Sequence, residues 1–150
     1  MLCSPDTMSS QIARLDEQAT QGSETMPKIS KQTASEVVTA GPMESHSEQL
    51  GDYHVAFSTF HEDGDATPLF KGLPDDRCQA AHWGYIFKGK VTFKYDDHDE
   101  IYEAGDAYYA PPGHIPVVEA GTEGVEFSTA AEYAQTLAVL ERNLTAMQGA

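Results

Sequence analysis

Basic residues are scarce in this chain. Nine lysines and arginines stand against twenty-four aspartates and glutamates, giving a formal charge of −15 over 150 residues. Phosphate backbones need clustered Lys and Arg, so nucleic acid is excluded as a partner. Anionic membrane surfaces are disfavoured for the same reason. A net charge of this sign speaks to solubility and not to fold. Cysteine is nearly absent: Cys3 lies in a polar stretch and Cys78 in the body of the chain. Two such cysteines do not make a disulfide framework. No run of about 20 apolar residues is present, so no membrane-spanning helix is expected. The opening M-L-C-S-P-D-T-M-S-S has neither a basic start nor an apolar core, and no signal peptide is read there. These absences lead to the expectation of a reducing, cytoplasmic compartment.

What is present divides into three textures. Residues 1–51 are polar and rich in Ser, Thr, Gln and Glu. Within them Ser9–Gln18 is weakly amphipathic, with Ile12 and Leu15 on one face. Residues 1–29 are read as a flexible N-terminal tail. Ser30–Ala40 carries Val37 and Val38 and holds a helical turn or an edge strand, stopped by Gly41-Pro42. Residues 30–150 are read as one domain.

From Asp52 onward, apolar and small or polar residues alternate. Tyr53, Val55 and Phe57 alternate with His54, Ala56 and Ser58, the period of a half-buried strand. Ala80–Lys88 and Lys90–Tyr95 follow, joined at Gly89; Val91, Phe93 and Tyr95 are expected to face inward. Glu100–Ala104, Ala107–Ala110, Ile115–Glu119 and Val125–Ser128 complete about eight short strands between 52 and 128. That spacing predicts an all-β antiparallel barrel or jelly roll. Beyond it, Thr129-Ala-Ala-Glu132 has the form of a capping box. Tyr133, Leu137, Leu140, Leu144 and Met147 then recur at helical spacing, predicting an amphipathic helix over 130–147.

Two segments carry a family resemblance. The first is His82-Trp-Gly-Tyr-Ile-Phe-Lys-Gly-Lys90. The second is Glu103-Ala-Gly-Asp-Ala-Tyr-Tyr-Ala-Pro-Pro-Gly-His114. Together they resemble the cupins, in particular an uncharacterised subgroup of small bacterial cupins that Leu69–Tyr85 is also similar to. The second segment follows the family pattern G-x5-P-x-G-x2-H through Gly105, Pro111 and Gly113. The family's histidine would fall on Pro116, and His114 lies two residues earlier, on the same strand face. The first motif, H-x-H-x3–4-E-x6-G, is degraded. Anchored on Gly89, its glutamate position falls on His82, and one of its histidines on Arg77 or Cys78. With His82 as first histidine instead, Gly84 replaces the second. The resemblance implies a double-stranded β-helix (a jelly-roll barrel) with a C-terminal α-helix and a polar N-terminal extension. It also implies a homodimer, using the first strands or the C-terminal helix.

Candidate site residues follow from both readings. His82 and His114 are read as imidazole ligands for a divalent transition metal, with zinc, iron, nickel and manganese all open. The alternative for each is a hydrogen-bonded core histidine; His114 has a third reading as a general base. Cys78 shares strand parity with His82 and could complete a Cys/His/His set; otherwise it is a small buried apolar residue. Glu126 alternates with Val125 and Phe127. It faces the cavity if those two pack between barrel and helix, and solvent if they do not. Trp83, Tyr85, Tyr108 and Tyr109 could wall an aromatic pocket, or else simply pack; of these Tyr85 and Tyr109 are placed with His54 and Glu126 as candidate pocket residues. His46, His61 and His98 fall in tail or turn contexts and are assigned nothing.

Three functions are compatible with this set. The first is a metal-binding protein with a barrel pocket for a small organic molecule, with isomerase, dioxygenase or lyase chemistry open. The second is a metal-free small-molecule binding or sensing module. The third is a structural dimer with a vestigial cavity.

Overall fold

In a computed structural model the described residues are 27–149. The stretch Ser9–Gln18 and nearly all of the expected tail lie outside them. The described residues form ten strands: β1 Glu36–Ala40, β2 Met43–Leu50, β3 Tyr53–Phe60, β4 Gly64–Asp65, β5 His82–Lys88, β6 Lys90–Lys94, β7 Asp99–Glu103, β8 Ala107–Ala110, β9 Ile115–Val118 and β10 Glu123–Thr129. One long helix, α1, spans Ala130–Gln148. It is too short of apolar residues to cross a membrane.

The strands make two antiparallel sheets. One runs β1-β2-β3-β10-β5-β8 and the other β4-β9-β6-β7. Without β1 and β2, the pairs are nested: β3 with β10, β4 with β9, β5 with β8, β6 with β7. Nested antiparallel pairing of eight strands is the jelly-roll arrangement. It returns late strands to early ones, so residues distant in sequence meet inside.

Alternation sorts each strand between the barrel interior and the outside. On β5, His82 and Ile86 are buried, whereas Trp83, Tyr85 and Phe87 are exposed. Ile86, Val91, Phe93, Ala110 and Val118 form the main core between the sheets. Val91 and Phe93 are buried as their alternation predicts, and Tyr95 packs against the same core half-buried.

A second core lies at one mouth of the barrel. Phe70, Leu73, Cys78 and Ala80 pack there against Tyr133, Val139 and Leu140 of α1. Burying a Phe or Leu side chain contributes about 1.5–3 kcal/mol, so this cluster fixes the helix over the mouth. Asn143 adds two hydrogen bonds, donating through Nδ2 to the carbonyls of Leu69 at 2.7 Å and Lys71 at 2.9 Å.

Three local expectations are revised. β1 is the edge strand left open for Ser30–Ala40, and the sheet also takes in Met-Glu-Ser-His-Ser-Glu-Gln-Leu, which lies before the expected start near 52 and pairs along its length with β3. This segment has no apolar alternation, and the strand is imposed by its neighbours. Thr129 is the N-cap of α1, but its hydroxyl makes no capping bond and the capping box is not closed. Of the helical stripe, Tyr133, Leu137, Leu140 and Leu144 are partly buried and Met147 is exposed; the fully buried residue of α1 is Thr136.

Candidate metal centre

Cys78, His82 and His114 come together at the mouth covered by α1. Their exposures are 1, 3 and 1%, and one ligand atom from each lies within 4.8 Å of the others.

The local chain explains the convergence. After the Pro74–Asp76 turn, Asp75 and Asp76 take φ of 56° and 55°, a left-handed bend that Asp tolerates better than most residues. The chain then runs beside Gly113-His114. The Cys78 amide donates to the His114 carbonyl at 2.9 Å, and the Gly113 amide donates to the Cys78 carbonyl at 2.7 Å. Gly113 turns with φ of +98°, which explains the glycine at this motif position. Two main-chain bonds thus lock the cysteine and one histidine side by side. His82 opens β5 four residues on, and its ring stands 4.9 Å from that of His114, edge to face.

A main-chain acceptor fixes the tautomer of one of the two imidazoles. His114 Nδ1 lies 2.7 Å from the Pro111 carbonyl, which only accepts. His82 Nδ1 lies 2.6 Å from Ser128 Oγ and 3.3 Å from the Glu126 carboxylate. The carbonyl fixes the proton on His114 Nδ1, so its Nε2 keeps a lone pair, whereas the Ser128 hydroxyl can serve His82 Nδ1 as donor or acceptor. His82 Nε2 faces Cys78 Sγ, 3.3 Å away.

A further layer surrounds these three groups. Tyr108 donates its hydroxyl to Glu126 Oε2 at 2.8 Å. Tyr133 of α1 packs edge-on against His82 at 5.4 Å and tilted against His54 at 5.1 Å. Thr136 places its hydroxyl 3.7 Å from Cys78 Sγ. Burial dominates the electrostatics. It pushes the Cys78 thiol up to about 11. With the neighbouring His82 it pulls His114 down to about 4. It raises the hydroxyls of Tyr108 and Tyr133 and lowers His54.

The structure therefore gathers His82, His114 and Cys78, with Glu126 in contact behind His82 and His54 beyond Tyr133. Glu126 faces inward although Val125 and Phe127 do not pack under the helix; they lie on the outer face of the sheet. Tyr85 and Tyr109, expected in the pocket, are 40 and 50% exposed on that same outer face. The tyrosine that reaches the interior is Tyr108, one residue from Tyr109. A one-residue step reverses the face of a strand residue, and a Tyr-Tyr pair offers no sequence signal to choose between them. Ser128 and Thr136 were not singled out, since small hydroxyl residues carry no motif of their own.

No protein-family model and no curated protein matches the chain. Solved structures do. A protein of unknown function from Rhizobium leguminosarum is 15% identical, with 70% of this chain and 97% of that one covered and a TM-score of 0.51. An RmlC-like cupin from Shewanella frigidimarina is 16% identical over 71 and 93%, at 0.48. A sugar phosphate isomerase of a cupin superfamily from Silicibacter pomeroyi is 13% identical over 69 and 75%, at 0.49. The chain shares its antiparallel β fold with the Rhizobium leguminosarum structure. Identities of this size carry the fold alone, and the chemistry has to be argued from the site.

Of the two segments that resemble the cupin motifs, His82 and His114 are the residues that enter the cluster. Pro116, where the second motif would have its histidine, pairs with Phe93 on β6 and takes no part in the cluster. Cys78 is the third residue of the cluster.

Proposed function

We propose that this cupin-fold protein binds one divalent transition metal through Cys78 Sγ, His82 Nε2 and His114 Nε2. The fourth position would serve a small organic molecule or water. The observation that carries this reading is the convergence of three buried donor residues with ligand atoms within 4.8 Å of one another, the far nitrogen of His114 being spent on the Pro111 carbonyl. Ligating histidines are held in this way, by carboxylate or carbonyl acceptors on the far nitrogen. One thiolate with two imidazoles suits zinc first; iron and nickel follow, and manganese, which prefers oxygen donors, comes last. Three protein ligands leave a position open, as catalytic zinc sites do.

A metal held there would supply Lewis-acid polarisation to an oxygen at that position. The chain's own residues supply the rest. Glu126 holds the His82 ring in register and accepts the Tyr108 proton, forming a short polar path beneath the site. Tyr133 and Thr136 keep bulk water away from the mouth. Isomerase, dioxygenase and lyase chemistry are all open to such a site.

A second reading rests on the near-complete burial of all three donors under α1. There the metal would be a clasp holding helix and loop to the barrel, without turnover.

The deciding experiment is elemental analysis of purified, untagged protein beside Cys78→Ser, His82→Ala and His114→Ala variants. Near-stoichiometric metal that all three variants lose supports the site. Metal retained by one variant removes that residue from the ligand set. No metal after incubation with zinc, iron or nickel salts overturns the proposal and leaves a metal-free small-molecule binding module. A melting temperature that falls by tens of degrees on chelation favours the clasp; an unchanged one favours the open-position site.

A further inference from the structure

The end of β6 touches the loops that carry two of the three donors. Lys94 pairs with Ile115 of β9, which brings Tyr95 across from His114. The Tyr95 amide donates to the His98 carbonyl at 2.8 Å and closes the turn into β7. Its phenol packs half-buried against the main core, edge-on to the His114 ring at 5.8 Å. Its hydroxyl donates to the Pro111 carbonyl at 2.9 Å. That carbonyl is the one that accepts from His114 Nδ1 at 2.7 Å. One residue earlier, the Lys94 carbonyl accepts from Nη1 of Arg77, the neighbour of Cys78, at 2.8 Å. The ring of His98 stacks on the phenol at 4.9 Å and 7°. This imidazole is 49% exposed, with Asp97 at 2.7 Å and Glu100 at 3.3 Å.

We infer, on the metal reading above, that Tyr95 is a positioning residue of the centre and that His98, at the surface, acts on the centre through it. A carbonyl oxygen has two lone pairs; here one serves the ligand ring and the other the phenol. The phenol thereby fixes where the acceptor stands, and so where His114 aims its Nε2. Pro111 and Pro112 have no N–H, so this stretch cannot be tied down through its own amides. A phenylalanine would fill the same core, but only the hydroxyl reaches the carbonyl. Burial raises the Tyr95 hydroxyl, which therefore stays protonated and donates across the ordinary pH range. Tyr102 supplies the contrast. Its ring packs on the same core, and its hydroxyl donates to the Tyr109 carbonyl at 3.3 Å, which holds none of the three donor side chains. His98 adds a handle at the hairpin tip: two rings in parallel contact shift together, so a change at this exposed imidazole reaches the buried one two contacts away.

The test is a zinc titration of the full chain against a calibrated chelator, joined to proton NMR of the metal-free protein. Tyr95→Phe is expected to bind zinc about 10-fold more weakly, at the low end for supports of ligating histidines, with an unchanged far-ultraviolet spectrum. Tyr102→Phe is expected to bind as wild type does. In the metal-free protein the His114 Nδ1 proton is identified by its loss in His114→Gln. Its exchange with solvent is expected to quicken about 10-fold in Tyr95→Phe, the worth of one hydrogen bond, and to be unchanged in Tyr102→Phe. His98→Ala is expected to lose less zinc affinity than Tyr95→Phe, and to lose none further in the Tyr95→Phe background. Wild-type zinc affinity or wild-type proton exchange in Tyr95→Phe overturns the inference. So do equal losses in Tyr95→Phe and Tyr102→Phe, which mark a general loosening of the core. A His98→Ala loss of the same size with and without the Tyr95 hydroxyl overturns the route from His98. A wild type that takes up no zinc overturns the metal reading, and the exchange rates then decide whether Tyr95 positions His114.

Discussion

Cys78 Sγ lies 3.3 Å from His82 Nε2, with both residues buried. At this distance one hydrogen bond joins the thiol and the ring nitrogen. The same arrangement, thiol to imidazole to carboxylate, also describes an activated cysteine nucleophile. Burial separates the two readings. A nucleophile needs a depressed thiol, and this one is pushed up to about 11. A metal replaces the thiol proton and removes that penalty.

The first prediction concerns this thiol. In metal-stripped protein, Cys78 should be alkylated about 100-fold more slowly than a free cysteine, because a rise of about two units leaves correspondingly little thiolate. Peptide mapping by mass spectrometry separates Cys78 from Cys3. Denaturant should restore the ordinary rate. Native alkylation of Cys78 at the rate of a free thiol would contradict the buried cluster.

Glu126 supplies the second. Glu126→Gln keeps the side-chain volume but removes the carboxylate that stands 3.3 Å from His82 Nδ1. Metal affinity should fall by about 10–100-fold, as for other supports of ligating histidines. Competition with a calibrated chelator measures this. Tyr108→Phe, one bond further away, should have the smaller effect. Equal affinities in wild type and Glu126→Gln would detach Glu126 from the site.

The third is a pH dependence of stability, again in the metal-stripped protein. His114 is lowered from its ordinary value near 6.5 to about 4 in the folded state. Between those values the unfolded chain takes up a proton that the folded one refuses. Stability from this group is therefore complete above pH ~6.5 and is lost progressively down to pH ~4, by an amount on the order of a few kcal/mol. Urea titrations at pH 7, 5.5 and 4.5 would show it. His114→Gln should flatten this part of the profile, and a profile unchanged by that substitution would exclude His114 as its source.

Particular residues show which parts of this architecture are legible in the sequence. Strand alternation in Lys90–Lys94 fixes both the element and its buried side, because one face is wholly apolar. His82 and His114 stand out because imidazoles at motif positions are rare. The face of Tyr108 against Tyr109 is not legible, because either ring suits either side of a strand. The strand Met43–Leu50 is not legible either: its pairing partner supplies the order that its own pattern lacks. Glu126 is a case between these, since its direction follows from parity only once the outer sheet face, and not the helix side, is known to hold Val125 and Phe127.

Gly84 carries the last prediction. It lies on the inner face of β5, opposite Tyr108 on β8. A Cβ there would clash with the outer ring carbons and the hydroxyl of Tyr108. This close approach explains the glycine at a position where a second motif histidine could be aligned. Gly84→Ala should force Tyr108 away from Glu126 and cost about 1–3 kcal/mol, a fall in melting temperature of several degrees. It should also weaken metal binding, because Glu126 loses the hydroxyl that fixes it. Tyr108→Leu in the Gly84→Ala background removes the clash, so the two stability effects should be strongly non-additive. The metal defect should persist in the double variant, because the Tyr108 hydroxyl is still missing. Additive losses of stability would mean that the phenol does not occupy the space above Gly84.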